Sequence, residues 1–141
     1  MRLAVLVNDG AGSVSAGDRD QERTSIEAAF AGTGAEVEVS MVAPDRMAAT
    51  VRRLWEGPDR PDAIVVAGGD GTVNAVAGAA VETGAVLGVL PLGTGNDLAR
   101  TLGIPLDPAK AAQVILDGRT RDIDLGDVNG RPFFNVASIG L

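Results

Sequence analysis

The chain has 141 residues, 45% of them hydrophobic, with 12 Lys and Arg against 19 Asp and Glu and a formal net charge of −7. This is one domain's worth of sequence with enough apolar matter for a core, which excludes a disordered chain, and its acidity argues against nucleic acid as a partner. It has no cysteine and no histidine, so disulfides and thiolate chemistry are excluded, any general base is a carboxylate, and any metal site uses oxygen ligands, favouring magnesium or calcium over zinc.

No apolar run approaches the roughly 18 residues needed to span a bilayer. Met1-Arg2 leads straight into a predicted strand without a signal-peptide pattern, so the cytoplasm is the expected location. Lys110 is the only lysine. That excludes a Gly-Lys-Ser/Thr phosphate loop and leaves backbone amides, hydroxyls, metal and arginine to bind phosphate.

Leu3 to Val7 is an apolar strand, followed at its carboxyl end by the polar turn Asn8 to Ser13. Asp18 to Ala31 places Ile26, Ala29 and Phe30 on one face of an amphipathic helix that Gly32 and Gly34 end. Arg19 and Arg23, one turn apart on it, could meet phosphates, but solvated arginines are the preferred reading. Ala35 to Val42 alternates charged and apolar residues, as expected of a half-buried strand near a sheet edge. Asp45 is the expected cap of a helix running to about Glu56, with Met47, Val51, Leu54 and Trp55 facing inward.

Ala63 to Ala67 and Val86 to Leu90 are short, β-branched apolar runs, the pattern of parallel strands buried on both faces. Val73 to Thr83 between them is long enough for a crossover helix. Asp97 to Leu102 is a short helix ended by Gly103. Asp107-Pro108 caps another, with Ala111, Val114, Ile115 and Leu116 as its buried face and Gly118 as its stop. Arg121 to Val128 and Arg131 to Ile139 flank Asn129-Gly130, the signature of a β-hairpin. The expected fold is a three-layer, Rossmann-like α/β sandwich with a mainly parallel sheet and a C-terminal β-hairpin.

Two glycine turns follow the two buried strands: Gly68-Gly-Asp-Gly-Thr72 and Gly93-Thr-Gly-Asn96, the latter preceded by Pro91-Leu92 and followed by Asp97. Open α/β sheets bind ligands at the carboxyl ends of parallel strands, which is where both turns fall. Glycine lets a backbone adopt positive φ and lets phosphate approach closely. A helix follows each turn, and its first amides and positive dipole end are expected to stand open to an anion. Thr72 and Thr94 can donate hydroxyl hydrogen bonds. Asp70 and Asp97 would repel bare phosphate, so a magnesium ion or charged partners are expected beside them. The plainer alternative is a pair of strand-to-helix turns with Asp and Asn as caps.

These two turns, with Leu98-Ala-Arg100, Asp124-Leu-Gly126, Asn135 and Ser138-Ile-Gly140, resemble the diacylglycerol kinase catalytic domain, and most closely its soluble bacterial lipid kinases. The resemblance runs from Val5 to Leu141. It implies the N-terminal domain of the diacylglycerol/NAD kinase superfamily. The implied activity is transfer of the γ-phosphoryl of ATP, with Mg²⁺, to a lipid hydroxyl such as that of diacylglycerol. Gly68, Gly69, Asp70, Gly71 and Thr72, together with Gly93, Thr94, Gly95 and Asn96, would hold phosphates. Asn8, Gly12 and Asn74 would be further nucleotide contacts. Asp70, Asp97 and Asp124 would share a magnesium–water network, Asp97 and Asp124 as metal residues and Asp70 also acting in catalysis. Asp124 is equally well read as a hairpin residue paired with Arg121 or Arg100.

The chain departs from the family pattern at Asp9, where proline is usual, at Ala75, where glutamate is common, and at Ser40-Met41, where a nucleotide-touching threonine is often found. Related chains continue into a β-rich second domain that completes the cleft and supplies a catalytic carboxylate and the lipid pocket. This chain ends at Leu141, so it is expected to be a fragment without turnover, prone to self-association through Phe133 to Leu141. The expected partners are a nucleotide and, in the complete enzyme, a lipid at the membrane surface, with a homodimer as a further expectation. The alternatives are a kinase acting on NAD or a sphingoid base, or a non-catalytic nucleotide-binding or dimerisation module.

Overall fold

The computed structural model describes residues 1–9, 16–92, 95–123, 125–128 and 130–133. Among these, four parallel strands form one sheet: β1 (Arg2–Asn8), β2 (Glu36–Val42), β3 (Ala63–Gly68) and β4 (Leu87–Pro91), in the order β2-β1-β3-β4. β3 is paired on both sides, with Val5 beside Val65 and Val66 beside Val89. β2 lies at the edge, as its alternation predicts, with Glu36 and Glu38 exposed and Val39 buried.

Among the described residues, five α-helices accompany the strands: α1 (Ala16–Phe30), α2 (Met47–Glu56), α3 (Asp70–Thr83), α4 (Asp97–Leu102) and α5 (Pro108–Leu116). Successive strand residues point to opposite faces, and this divides the core in two. Leu6, Ile64, Val66 and Val89 pack with Val51 and Trp55 of α2, Val73 and Val76 of α3, and Leu98 of α4. Val5, Val7, Val65 and Leu90 pack with Ile26 and Phe30 of α1 and with Ala111 and Ala112 of α5. Helices thus cover both faces of a parallel sheet, the three-layer arrangement expected. Trp55 is a core residue, with the Arg60 guanidinium 4.9 Å from its ring centre.

Several local expectations are corrected. α3 begins at Asp70, so Asp70, Gly71 and Thr72 form the first turn of a helix and not a loop before it. Asp45 does not cap α2: Pro44–Arg46 forms a 3₁₀ turn, and Arg46 at the cap position makes no side-chain capping bond. Val114 is 41% exposed, because α5 meets the sheet through Ala111 and Ala112. The Asp107 cap is present, with its carboxylate accepting from the Lys110 amide at 3.0 Å.

The chain's last described pair is the antiparallel hairpin of β5 (Gly126–Val128) and β6 (Arg131–Phe133). Gly130 takes φ +78° and its amide donates to Asp127 Oδ1 at 2.8 Å. Residues 121–123 are not strand, and β6 lies against α3. The predicted continuation from Phe134 to Leu141 lies outside the described residues.

Candidate functional site

Gly68, the last residue of β3, pairs with Pro91, the last of β4, and the Leu92 amide donates to the Gly68 carbonyl at 3.0 Å. The two turns therefore leave the sheet side by side. Asn8 ends β1 on the other side of β3.

The first turn is built around Thr72. Gly69 precedes α3 in an extended conformation, φ −95°, and its carbonyl accepts from the Thr72 and Val73 amides, both at 3.1 Å. Positive φ is thus not why a glycine stands at position 69. Thr72 is 8% exposed, and its side chain lies where a Cβ on Gly68 would fall, 2.8 Å from Thr72 Oγ1. Asn8 Nδ2 donates to the same Oγ1 at 3.1 Å, so two predicted nucleotide residues 64 positions apart meet here. That bond uses the hydroxyl as acceptor and leaves its proton for another partner. Gly71 differs from its neighbours. It is exposed, and a Cβ there would meet nothing within 4 Å. Asn74 is half-buried one turn further along α3.

The second turn closes on the first. Asp70 Oδ2 accepts from the Asp97 amide at 2.9 Å and Asp70 Oδ1 from the Leu98 amide at 3.1 Å. The expectation that the start of α4 stands open to an anion is therefore corrected: a carboxylate from α3 already occupies its first two amides. Asn96, 7% exposed, adopts the left-handed conformation at φ 53°, ψ 43°. Its carbonyl accepts from the Arg100 amide at 3.0 Å, and Arg100 Nε donates to the Gly95 carbonyl at 2.9 Å. A Cβ on Gly95 would stand 3.2 Å from Asp70 Oδ2. Asp97 is exposed. Gly12, Gly93, Thr94 and Asp124 lie outside the described residues.

Arg19 and Arg23 are tied down, contrary to the expectation that solvent holds them. Arg19 Nε lies 2.9 Å from Asp9 Oδ1, and Arg23 Nη1 donates to the Val39 carbonyl at 2.9 Å. Asp9 Oδ1 is buried with no hydrogen bond of good angle, so this ion pair is its compensation. Among the described residues no three carboxylates gather as a metal-ligand cluster. An open hollow lined by Met1, Gly32, Gly34, Ala35, Gln113 and Leu116 lies at the amino ends of the strands, away from both turns, and no side chain lining it is ionisable. No described helix is long and apolar enough to cross a membrane.

A parallel α/β sheet with two glycine turns side by side at its carboxyl edge has the frame of a ligand-binding α/β domain. The chain belongs to the diacylglycerol kinase catalytic domain family, whose model matches residues 2–128. It is 50% identical over 82 residues to the diacylglycerol kinase of Bacillus subtilis strain 168, a match covering 56% of this chain and 27% of that protein. It is 37% identical over 143 residues to a YegS-like lipid kinase of Pseudomonas fluorescens, covering 99% of this chain and 45% of that protein. The crystal structure of a diacylglycerol kinase from Bacillus anthracis strain Sterne superposes with a TM-score of 0.71 at 28% identity, over 95% of this chain and 46% of that one. The chain spans less than half the length of these relatives.

Proposed function

We propose that the chain is the nucleotide-binding part of an ATP-dependent lipid kinase that phosphorylates a lipid hydroxyl such as that of diacylglycerol. The observation that carries this reading is Gly71. It stands exposed in the first turn of α3, at the carboxyl end of the central strand, with open space beside it. Nothing among the described residues requires a glycine there, and glycine within a helix costs about 0.5–1 kcal/mol relative to alanine. A ligand that approaches the backbone closely supplies the missing reason. A phosphate suits the start of a long helix, where amides and dipole favour negative charge.

Phosphoryl transfer depends mainly on positioning and charge stabilisation. In this reading Gly68, Gly69, Gly71 and Thr72 hold the phosphates together with Gly95 and Asn96, and the family resemblance would add Gly93 and Thr94. Asn8 orients the Thr72 hydroxyl, and by resemblance Asn74 and Gly12 would be further nucleotide contacts. The donor set is oxygen only, which suits magnesium; Asp97, exposed beside the second turn, and Asp124 would hold it. The bound ion would neutralise phosphate charge. A second, β-rich domain in a longer protein would complete the cleft and receive the lipid at the membrane surface.

Titration of the ¹⁵N-labelled chain with Mg-ADP is expected to move the resonances of Gly68 to Thr72 and Gly95 to Asn96. Gly71→Ala is expected to fold at least as stably as the unmodified chain. It should nevertheless bind ADP about tenfold more weakly, the loss of one close contact to a charged group. An unchanged isotherm in Gly71→Ala would sink the phosphate assignment. Turnover of diacylglycerol by the 141-residue chain alone, equal to that of a version extended by the second domain, would sink the division of labour.

A further inference from the structure

We propose that Asp70 is a positioning residue that latches the two glycine turns into one unit. Its side chain leaves the first turn of α3 and reaches a helix that starts 27 residues later. It gives one oxygen to each of the first two amides of that helix, Oδ2 to Asp97 and Oδ1 to Leu98. The bond lengths, 2.9 and 3.1 Å, are those of sound hydrogen bonds, and an ionised acceptor at a positive helix end makes them stronger than neutral ones.

The surrounding residues fit this task. Gly95 leaves the space that Oδ2 occupies, since a Cβ there would come within 3.2 Å of it. Arg100 holds the Gly95 carbonyl from inside α4, and the Leu92 amide holds the Gly68 carbonyl ahead of the turn. A carboxylate is the fitting group because each of the two amides meets a different oxygen of the side chain. An asparagine would offer one oxygen and turn an NH₂ group toward the second amide.

The inference rests on the nucleotide reading above, because the segment held by the latch is the one assigned there to phosphate. It also changes the part Asp70 plays. With each oxygen engaged at α4, the side chain serves by holding α4 and the residues ahead of it at a fixed distance from α3. The amides of Asp97 and Leu98 are spent on it, so phosphate contacts fall to the first turn of α3 and to the residues ahead of Asp97.

Amide hydrogen exchange, read residue by residue by NMR on the whole chain in EDTA without nucleotide, tests the latch. The Asp97 and Leu98 amides should be protected in the unmodified chain. In Asp70→Asn they should exchange about tenfold faster or more, while Val65 and Val66 in β3 keep their rates. A role confined to metal binding leaves these rates alone. Unchanged protection at both amides overturns the proposal. Gly95→Ala approaches from the other side and should speed Asp97 more than Leu98, because Oδ2 serves Asp97; it decides the matter if Asp70→Asn also loosens the strands. Mg-ADP titration then reads positioning. Asp70→Asn should bind more weakly and lose the shifts at Gly95 to Leu98 while keeping that at Gly71. Equal ADP affinity in the two proteins overturns the positioning role. Absence of ADP binding to the unmodified chain overturns the nucleotide reading, and the exchange rates still decide the latch.

Discussion

At the end of β3 the chain passes into α3 through Gly69 in an extended conformation; at the end of β4 it passes into α4 through Asn96 in a left-handed one. These two strand-to-helix junctions have similar residue types and occupy neighbouring strand ends. The first keeps an open flank at Gly71, whereas the second is filled from within by Asp70. Gly-Asp and Asn-Asp sequences at strand ends therefore do not all serve the same end. A helix start can receive a ligand, or it can be consumed by the protein to hold a neighbouring turn still, and only the partner of each amide tells which.

The sharpest way to break this contrast is to disturb the packing that shapes the first turn. Gly68→Ala puts a methyl group 2.8 Å from Thr72 Oγ1 and 2.9 Å from Thr72 Cβ. Overpacking of this kind costs about 1–3 kcal/mol. Chemical denaturation should show a lower midpoint, and the Asn8 side-chain amide resonances should move as Thr72 shifts. A midpoint equal to that of the unmodified chain would mean that the turn is looser than its contacts imply.

A smaller effect is expected at the second turn. Asn96→Ala and Asn96→Gly remove the same buried side chain, but only alanine carries a Cβ into the left-handed conformation. The alanine variant should be the less stable of the two by about 1 kcal/mol. Equal stabilities would show that the turn relaxes to another conformation when the side chain is gone.

The smallest effect belongs away from both turns. Arg52 on α2 donates to Glu82 on α3 at 2.7 Å, and that hydrogen bond holds the Glu82 carboxyl below the usual carboxylate range. A depressed folded-state value means stability that is present above the unfolded value and lost as pH falls through the folded one. The pair is exposed, so salt screens it. Arg52→Ala should leave the melting temperature within error at moderate ionic strength. It should also slightly flatten the loss of stability on acidification.

The strands were legible because buried parallel strands read as continuous apolar runs, and Val65 and Leu90 could face nothing but core. The caps formed by near neighbours were legible too, as Asp107 with Lys110 demonstrates. What escaped reading depends on partners far apart in sequence. Asp70 finds Leu98 at a separation of 28, and Asn8 finds Thr72 at 64. Residue type announced that Asp70 needs a partner and could not say that the partner is a helix end. Beside Asp45 the decisive residue is Pro44, whose ring starts the 3₁₀ turn one residue earlier. Gly88 carried a similar signal for α5: a Cβ there would press on Ile115 at 3.2 Å, so strand and helix approach closely and the small Ala111 and Ala112 form the contact, turning Val114 outward.

Trp55 has one more consequence. It is the only tryptophan, and the chain has no tyrosine. Intrinsic fluorescence therefore comes from a single indole buried between α2 and the sheet, under the Arg60 guanidinium. The opposite face, where α1 and α5 pack, contributes no emission at these wavelengths. An unfolding curve followed by fluorescence thus reports one half of the core, while circular dichroism reports all the helices. Coincidence of the two curves is a direct test of whether the layers on either side of this sheet melt together.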